Sequence, residues 1–153
     1  MVMRAILYVE DNPLDIELTL EALKENKIAN PIVVVHDGIE ALEYLRYEGP
    51  FKDRKTKNPN MILLDLKMPR MDGLEFLAIV KKDAKFKSIP VIMLTSSREE
   101  KDLIKGYDLG INAYIVKPVK FSSLIDIVKQ LADFWLTINE LPQEGEGTYD
   151  LRK

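Results

Sequence analysis

Five short apolar runs most constrain the fold of this chain: residues 5–9, 32–35, 61–64, 91–94 and 113–116. Most are continuously apolar rather than alternating, which is typical of strands buried on both faces. Amphipathic stretches of helical length separate them, as in βα units around a parallel sheet. The sequence therefore predicts an α/β protein with a doubly wound, five-stranded parallel sheet and helices on both faces.

Helix-start signals support five helices. Asn12-Pro13 is an N-cap followed by proline at the first helical position, and Asp37-Gly38 and Asp72-Gly73 open the second and third helices. The remaining two are expected over about residues 98–109 and 121–136. Each helix thus follows one strand.

The length of 153 residues fits one domain. We expect this domain over residues 1–140 and a polar, frayed tail over 141–153. Residues 49–59 form a polar, basic connection that is long for a compact domain. A solvated loop is the favoured interpretation, and a docking patch for an acidic partner is the alternative.

Composition excludes several classes of function. A net charge of −3 argues against a general nucleic-acid binder, and the lack of cysteine excludes disulfides and thiolate chemistry. His36 is the single histidine, so a histidine-based metal site is not expected. Without a signal peptide or membrane-spanning run, the sequence predicts a soluble, cytoplasmic protein.

The residues that could bind a ligand or take part in a reaction lie at the ends of the strands. Glu10 and Asp11 end the first run, Asp65 the third, Thr95 the fourth and Lys117 the fifth. In an open α/β sheet, ligands bind outside the carboxyl ends of the strands. These residues are therefore expected to form one site.

Three carboxylates at one edge repel one another, by about 4 kcal/mol for two unit charges ~4 Å apart at an effective dielectric near 20. Mg²⁺ relieves such repulsion, since it takes carboxylate, phosphate and water oxygens. With the cation of Lys117 and the hydroxyl of Thr95, the set suits phosphoryl transfer. An aspartate can itself be the nucleophile.

These motifs together resemble the receiver domain of two-component response regulators. The resemblance rests on Glu10-Asp11, Asp65 with Met68-Pro69 and Asp72-Gly73, Thr95-Ser96, and Lys117-Pro118. It covers roughly residues 4–137 and implies a flavodoxin-like three-layer sandwich with strand order 2-1-3-4-5.

The resemblance also implies roles for individual residues. Asp65 would be the phosphoacceptor, with Asp11 a direct Mg²⁺ ligand and Glu10 the acid that holds a metal-bound water. The backbone carbonyl of Lys67 would complete the metal site, and Lys117 would pair with phosphoryl oxygens.

The resemblance implies a switch and a special peptide bond as well. Thr95 would move to the phosphoryl group and Tyr114 would turn inward with it. The Lys117–Pro118 peptide is expected to be cis.

Four further features resemble the small response regulators paired with cyanobacterial phytochromes. They are Tyr107-Asp108-Leu109, the basic loop, Phe134-Trp135-Leu136 and Leu141-Pro142. That subgroup lacks an output domain and includes dimers. The implied function is Mg²⁺-dependent phosphoryl acceptance from a phytochrome-like sensor histidine kinase, with output through protein contacts at the helix 4, strand 5 and helix 5 face. Such a protein is not an enzyme beyond its own phosphorylation and slow self-dephosphorylation.

Three other functions are alternatives to phosphoryl acceptance. A haloacid-dehalogenase phosphatase needs an acid two residues after the nucleophile, where this chain has Lys67. A flavodoxin-like flavin binder needs a phosphate loop where this chain has Glu10-Asp11-Asn12-Pro13. The alternative retained is a receiver-fold interaction module that works without phosphorylation.

The last helix predicts an interface. Phe134, Trp135 and Leu136 are consecutive, so they span about 200° of the helix circumference and one core cannot cover all three. At least one of them, and Ile125 or Phe121, should be exposed. We expect a homodimer through this helix; the alternative is that the tail covers these side chains.

Overall fold

A computed structural model describes residues 3–142. The strands are β1 (Ile6–Val9), β2 (Ile32–Val35), β3 (Met61–Leu64), β4 (Val91–Thr95) and β5 (Ala113–Val116). The helices are α1 (Pro13–Glu25), α2 (Gly38–Arg46), α3 (Gly73–Lys82), α4 (Glu100–Asp108) and α5 (Phe121–Leu131). The expected tail falls largely on residues 143–153, outside the described part of the chain.

The five strands form one parallel sheet in the order β2-β1-β3-β4-β5. All residues of β1, β3 and β4 are buried, whereas every residue of the edge strand β5 is partly exposed. The predicted fold class and strand order are therefore confirmed. No helix in residues 3–142 is long and apolar enough to cross a membrane.

Two apolar cores lie on opposite faces of the sheet, because successive strand residues point to opposite sides. Ile6, Tyr8 and Leu63 face α1 and α5. Leu7, Val9 and their counterparts on β3 and β4 face α2 and α3, and residues at the end of α4 pack on the same cluster. The result is the three-layer arrangement expected from continuously apolar strands.

Side-chain caps start the first three helices where the sequence predicts. The Asn12 side chain accepts hydrogen bonds from the backbone N–H groups of Leu14 and Asp15. Asp72 and Glu75 form a reciprocal capping box at the start of α3. The fourth helix begins at Glu100 rather than near residue 98, and no side chain caps it.

Most residues of the connection over residues 49–59 are exposed, as expected of a solvated loop, but Arg54 ties it to α2. The connection opens with a 3₁₀ turn (Gly49–Phe51). The Arg54 guanidinium lies 4.2 Å from the ring centroid of buried Tyr44 and 3.9 Å from that of Tyr47. It also donates to the carbonyls of Thr56 and Lys57, both at 2.7 Å. Arg54 is therefore structural, while the lysines of the loop remain exposed.

The carboxyl-terminal helix departs from the expected 121–136. After α5 ends, the chain continues as a π-helical segment (Ala132–Ile138). Trp135 and Leu136 pack against the α1/α5 core, whereas Phe134 is 45% exposed and Ile138 63% exposed. Phe121 is also exposed, so the prediction that one core cannot cover these residues is confirmed.

An ion pair between buried Asp37 and exposed Arg70 joins two loops beside the site. Asp37, which is 3% exposed, caps α2 by accepting from the Glu40 N–H at 2.9 Å. Its other oxygen accepts from Arg70 Nε at 2.6 Å, and Arg70 has a left-handed backbone with φ of 61°. Burial alone would raise the pKa of Asp37, but these hydrogen bonds outweigh it and lower the pKa below its usual range.

We predict that Asp37→Ala lowers the free energy of unfolding by about 1–2 kcal/mol at pH 7, since it removes an N-cap. Because the folded pKa of Asp37 is depressed, the stabilisation is present above the unfolded value near 3.9 and is lost as pH falls through the folded pKa. Urea unfolding of both proteins at pH 7 and near pH 3 measures this, with Asp37→Asn, which keeps an acceptor, as the milder control. An equal difference between wild type and Asp37→Ala at both pH values would contradict the prediction.

Candidate functional site

Backbone hydrogen bonds bring the strand-end residues together at one edge of the sheet. Glu10 N–H donates to the carbonyl of Val35 at 2.9 Å, and Asp65 N–H donates to that of Val9 at 3.0 Å. Lys117 N–H donates to the carbonyl of Thr95 at 2.8 Å. The hydrogen-bond pattern of the parallel strands thus continues beyond the strand ends and fixes where these residues lie along the strand direction.

Glu10, Asp11 and Asp65 form an acidic cluster at this edge. One carboxylate oxygen from each lies within 4.8 Å of the others. Glu10 is fully buried and Asp65 is 9% exposed, whereas Asp11 is exposed. The structure therefore brings together the three acidic residues that the sequence predicts.

Burial raises the pKa of Glu10 to about 7, an effect that the neighbouring Asp65 reinforces and the hydrogen bond from Lys117 opposes. Two backbone N–H groups, of Asp11 and Asn12, also donate to Glu10 Oε2 at 3.1 and 3.3 Å. The three carboxylates of the cluster thus outnumber the Lys117 ammonium that faces them. Three converging hard oxygen donors with excess negative charge fit a divalent cation such as Mg²⁺.

The Lys117 ammonium is the cation at the centre of the site. It donates to Glu10 Oε1 and to Asp15 Oδ2, the latter at 2.9 Å, and lies 3.8 Å from Asp65 Oδ1. Its side chain is only 12% exposed. Burial would lower the pKa of Lys117, but the carboxylates outweigh it and raise the pKa above its usual range. Lys117 is therefore charged in this environment.

Asp15 is a site residue that sequence reasoning missed. An acid in the first turn of a helix is ordinarily accounted for by its favourable interaction with the helix N-terminus, so the position of Asp15 does not by itself indicate a role in the site. The signal that could have found it is that only three residues separate β1 from α1, so the first turn of α1 borders the sheet edge.

The expectation of a cis Lys117–Pro118 peptide is wrong for this structure, which contains no cis peptide in residues 3–142. The trans form is the intrinsically preferred one, by about 0.5–1 kcal/mol for X–Pro. With this trans peptide the ammonium still reaches Glu10 and Asp15.

Thr95 and Lys67 line a cleft next to the acidic cluster. The cleft has a volume of about 280 Å³ and is also lined by Asp65, Ser96, Ser97, Arg98 and Glu99. Thr95 is 2% exposed, and its Oγ1 accepts from the Ser97 N–H at 3.4 Å. The cleft gives a small anion access to Asp65 from the side of Thr95.

Tyr114 lies behind this cleft rather than in it. Its hydroxyl donates to the Ser97 carbonyl at 3.0 Å, and the Ser97 hydroxyl donates to Asp102 at 2.7 Å. Tyr114 on β5 is thereby joined to the β4–α4 loop, two residues from Thr95.

The chain is similar to known response regulators over nearly its whole length. Residues 6–129 match the family model for the response regulator receiver domain. The response regulator Rcp1 of Synechocystis sp. is 37% identical over 139 residues, which are 91% of this chain and 93% of Rcp1. A crystal structure of the Mn²⁺-bound form of Rcp1 superposes with a TM-score of 0.82, covering 92% of this chain and 99% of that one.

Two further solved structures are similar. The phosphorylated cyanobacterial phytochrome response regulator RcpA is 43% identical with a TM-score of 0.85, covering 93% of this chain and all of that one. The bacteriophytochrome response regulator RtBRR is 50% identical with a TM-score of 0.76, covering 92% and 85% of the two chains. With the strand order and the acidic edge described above, these likenesses establish that the chain belongs to the response regulator receiver domain family.

Proposed function

We propose that this protein is a stand-alone response regulator that accepts a phosphoryl group from a sensor histidine kinase on Asp65. The observation that carries the proposal is the position of Asp65, which lies close to the Glu10 and Asp11 carboxylates and to the Lys117 ammonium and lines the cleft of Thr95. This arrangement supplies a nucleophile, ligands for a cation and a positive charge for phosphoryl oxygens.

In the proposed reaction, a carboxylate oxygen of Asp65 attacks the phosphorus of a phosphohistidine. An O–P bond forms, the N–P bond breaks, and its electron pair returns to the imidazole nitrogen of the kinase. Asp11, Asp65 and the Lys67 carbonyl would hold Mg²⁺, and Glu10 would hold a metal-bound water. The bound cation would neutralise charge on the phosphoryl oxygens.

Lys117 and Thr95 complete the proposed chemistry. The Lys117 ammonium would pair with one phosphoryl oxygen and the Thr95 hydroxyl would donate to another. Hydrolysis of the acyl phosphate by water would slowly reset the protein, so that its chemistry is confined to its own Asp65 and it serves as a signal receiver rather than an enzyme.

The proposed output is a change at the α4, β5 and α5 face. If Thr95 moves toward the phosphoryl group, the backbone of Ser97 shifts with it, and Ser97 holds the Tyr114 hydroxyl. Tyr114 would then turn inward and change this face. RcpA is a cyanobacterial phytochrome response regulator and RtBRR a bacteriophytochrome response regulator, which supports a phytochrome-like kinase as the partner of this protein. A cytoplasmic location is part of the proposal.

We also propose a homodimer through the same face, isologous as most dimers are. Exposed apolar side chains lie on all parts of it: Ile104 and Tyr107 on α4, and Phe121, Phe134 and Ile138 along α5 and the segment after it. β5 lies at the sheet edge and is partly exposed. Exposed apolar patches of this kind mark interfaces.

Asp65→Asn should abolish phosphorylation with the fold retained, because the amide is similar in shape and a poor nucleophile. The measurement is intact mass after incubation with acetyl phosphate and Mg²⁺, with exposed Asp108→Asn as the matched control. Incorporation at the wild-type rate in Asp65→Asn would refute the assignment. A receiver-fold interaction module would leave wild type unlabelled as well.

Asp11→Asn should weaken Mg²⁺ binding about tenfold or more, since one ligand charge is lost, and tenfold corresponds to ~1.4 kcal/mol. Calorimetric titration with Mg²⁺ measures this. Asp133→Asn, which neutralises an exposed carboxylate after α5, is expected to bind as wild type does. Equal affinity in Asp11→Asn and wild type would rule out Asp11 as a ligand.

For the dimer, Phe134→Ser/Ile138→Ser should shift sedimentation toward the monomer, because both side chains are exposed and their loss spares the core. The control is Leu14→Ser, which removes an equally exposed apolar side chain from α1. Samples are compared with and without beryllofluoride and Mg²⁺. A wild type that stays monomeric at high concentration in both states would contradict the dimer.

A further inference from the structure

Asp15 contacts the site's ammonium but lies outside the acidic cluster. Its Oδ2 is 2.9 Å from Lys117 Nζ, and the described cluster of possible metal ligands consists of Glu10, Asp11 and Asp65. The backbone of Asp15 is fixed on both sides: its N–H donates to Asn12 Oδ1 at 3.1 Å and its carbonyl accepts from the Tyr8 hydroxyl at 3.3 Å. The carboxylate is thus presented to Lys117 by a rigid helix start.

An ammonium has three protons to donate. Glu10 and Asp15 each accept one from Lys117, while Asp65 Oδ1 at 3.8 Å is beyond hydrogen-bond distance. In this state Lys117 is therefore bonded to two carboxylates other than that of the proposed phosphoacceptor.

A phosphoryl group on Asp65 would place new anionic oxygens beside Lys117, and these would compete for its protons. Of the two present partners, Asp15 is the one suited to release it. The Asp15 side chain is 35% exposed, so water replaces the lost contact, whereas Glu10 is fully buried and would be left without its cation.

We propose that Asp15 is a positioning residue that holds Lys117 away from Asp65 and so weakens the phosphorylated state. The proposal rests on the function proposed above. Asp15 competes with the phosphoryl oxygens for one ammonium, and its removal therefore leaves Lys117 more available to them. Because the Asp15 side chain is 35% exposed, water screens its charge and makes it a modest competitor, which sets the expected effect at several-fold rather than orders of magnitude.

The test is the equilibrium affinity for beryllofluoride, a phosphoryl mimic, at saturating Mg²⁺. Asp15→Asn is expected to tighten binding about three- to tenfold, in line with a partly exposed charge pair. Glu17→Gln neutralises an exposed carboxylate two residues further along α1 and is expected to bind as wild type does. Unchanged or weaker binding in Asp15→Asn would overturn the proposal.

A double-mutant cycle separates competition for Lys117 from a general gain in positive potential. In a Lys117→Met background, Asp15→Asn should no longer affect beryllofluoride affinity, because the shared ammonium is gone. If Asp15→Asn tightens binding equally in both backgrounds, Asp15 acts only through its charge and the proposal is wrong. Thermal unfolding of each variant verifies that the fold is retained.

Failure of this inference can be told from failure of the proposed function. If wild type is labelled on Asp65 by acetyl phosphate and Asp15→Asn binds beryllofluoride no more tightly, only the role of Asp15 fails. If wild type is neither labelled nor binds beryllofluoride, the proposed function fails and the role of Asp15 fails with it.

Discussion

The balance of charge around Lys117 is the interaction on which the site depends. The parallel sheet places Glu10, Asp11 and Asp65 at the same edge, and the first turn of α1 adds Asp15. The Lys117 ammonium faces these carboxylates. It donates hydrogen bonds to two of them, and its side chain is nearly buried. Burial raises the pKa of Glu10, and the neighbouring Asp65 adds to this effect, while the hydrogen bond from Lys117 offsets it only in part. A divalent cation would bring this edge closer to charge balance and would also offset the negative charge that a phosphoryl group adds.

The loops around the edge are tied to one another by polar contacts with specific partners. Asp37 and Arg70 link the loop before α2 to the loop after β3, and the Gly38 N–H donates to the Met71 carbonyl at 3.0 Å. Gly73 lets α3 start against the Asp65 backbone, where a side chain would clash. The loop that follows Asp65 is therefore held at both ends, so that its backbone has a defined place beside the acids.

The strand-end residues could be predicted from the sequence because parallel topology converts chain order into position. Once five buried strands are recognised, the residue after each strand must lie at the shared edge. Contacts that depend on side-chain direction could not be predicted in this way. The roles of Asp15 and Arg54 emerge only when neighbouring elements are in place. The cis Lys117–Pro118 peptide was implied by family resemblance alone and is absent here.

The partial exposure of the edge strand β5 explains why the proposed signal would be transmitted through this strand. β1, β3 and β4 are buried on both faces, and close packing there resists displacement. β5 has one strand neighbour, partial exposure throughout, and Tyr114 bonded to the loop that begins at Thr95. The proposed shift at Thr95 would therefore meet less close packing on the side of β5 than on the side of β3. The apolar side chains of Ile104 and Phe134 lie on the helices that flank it, where a small movement would alter what a partner contacts.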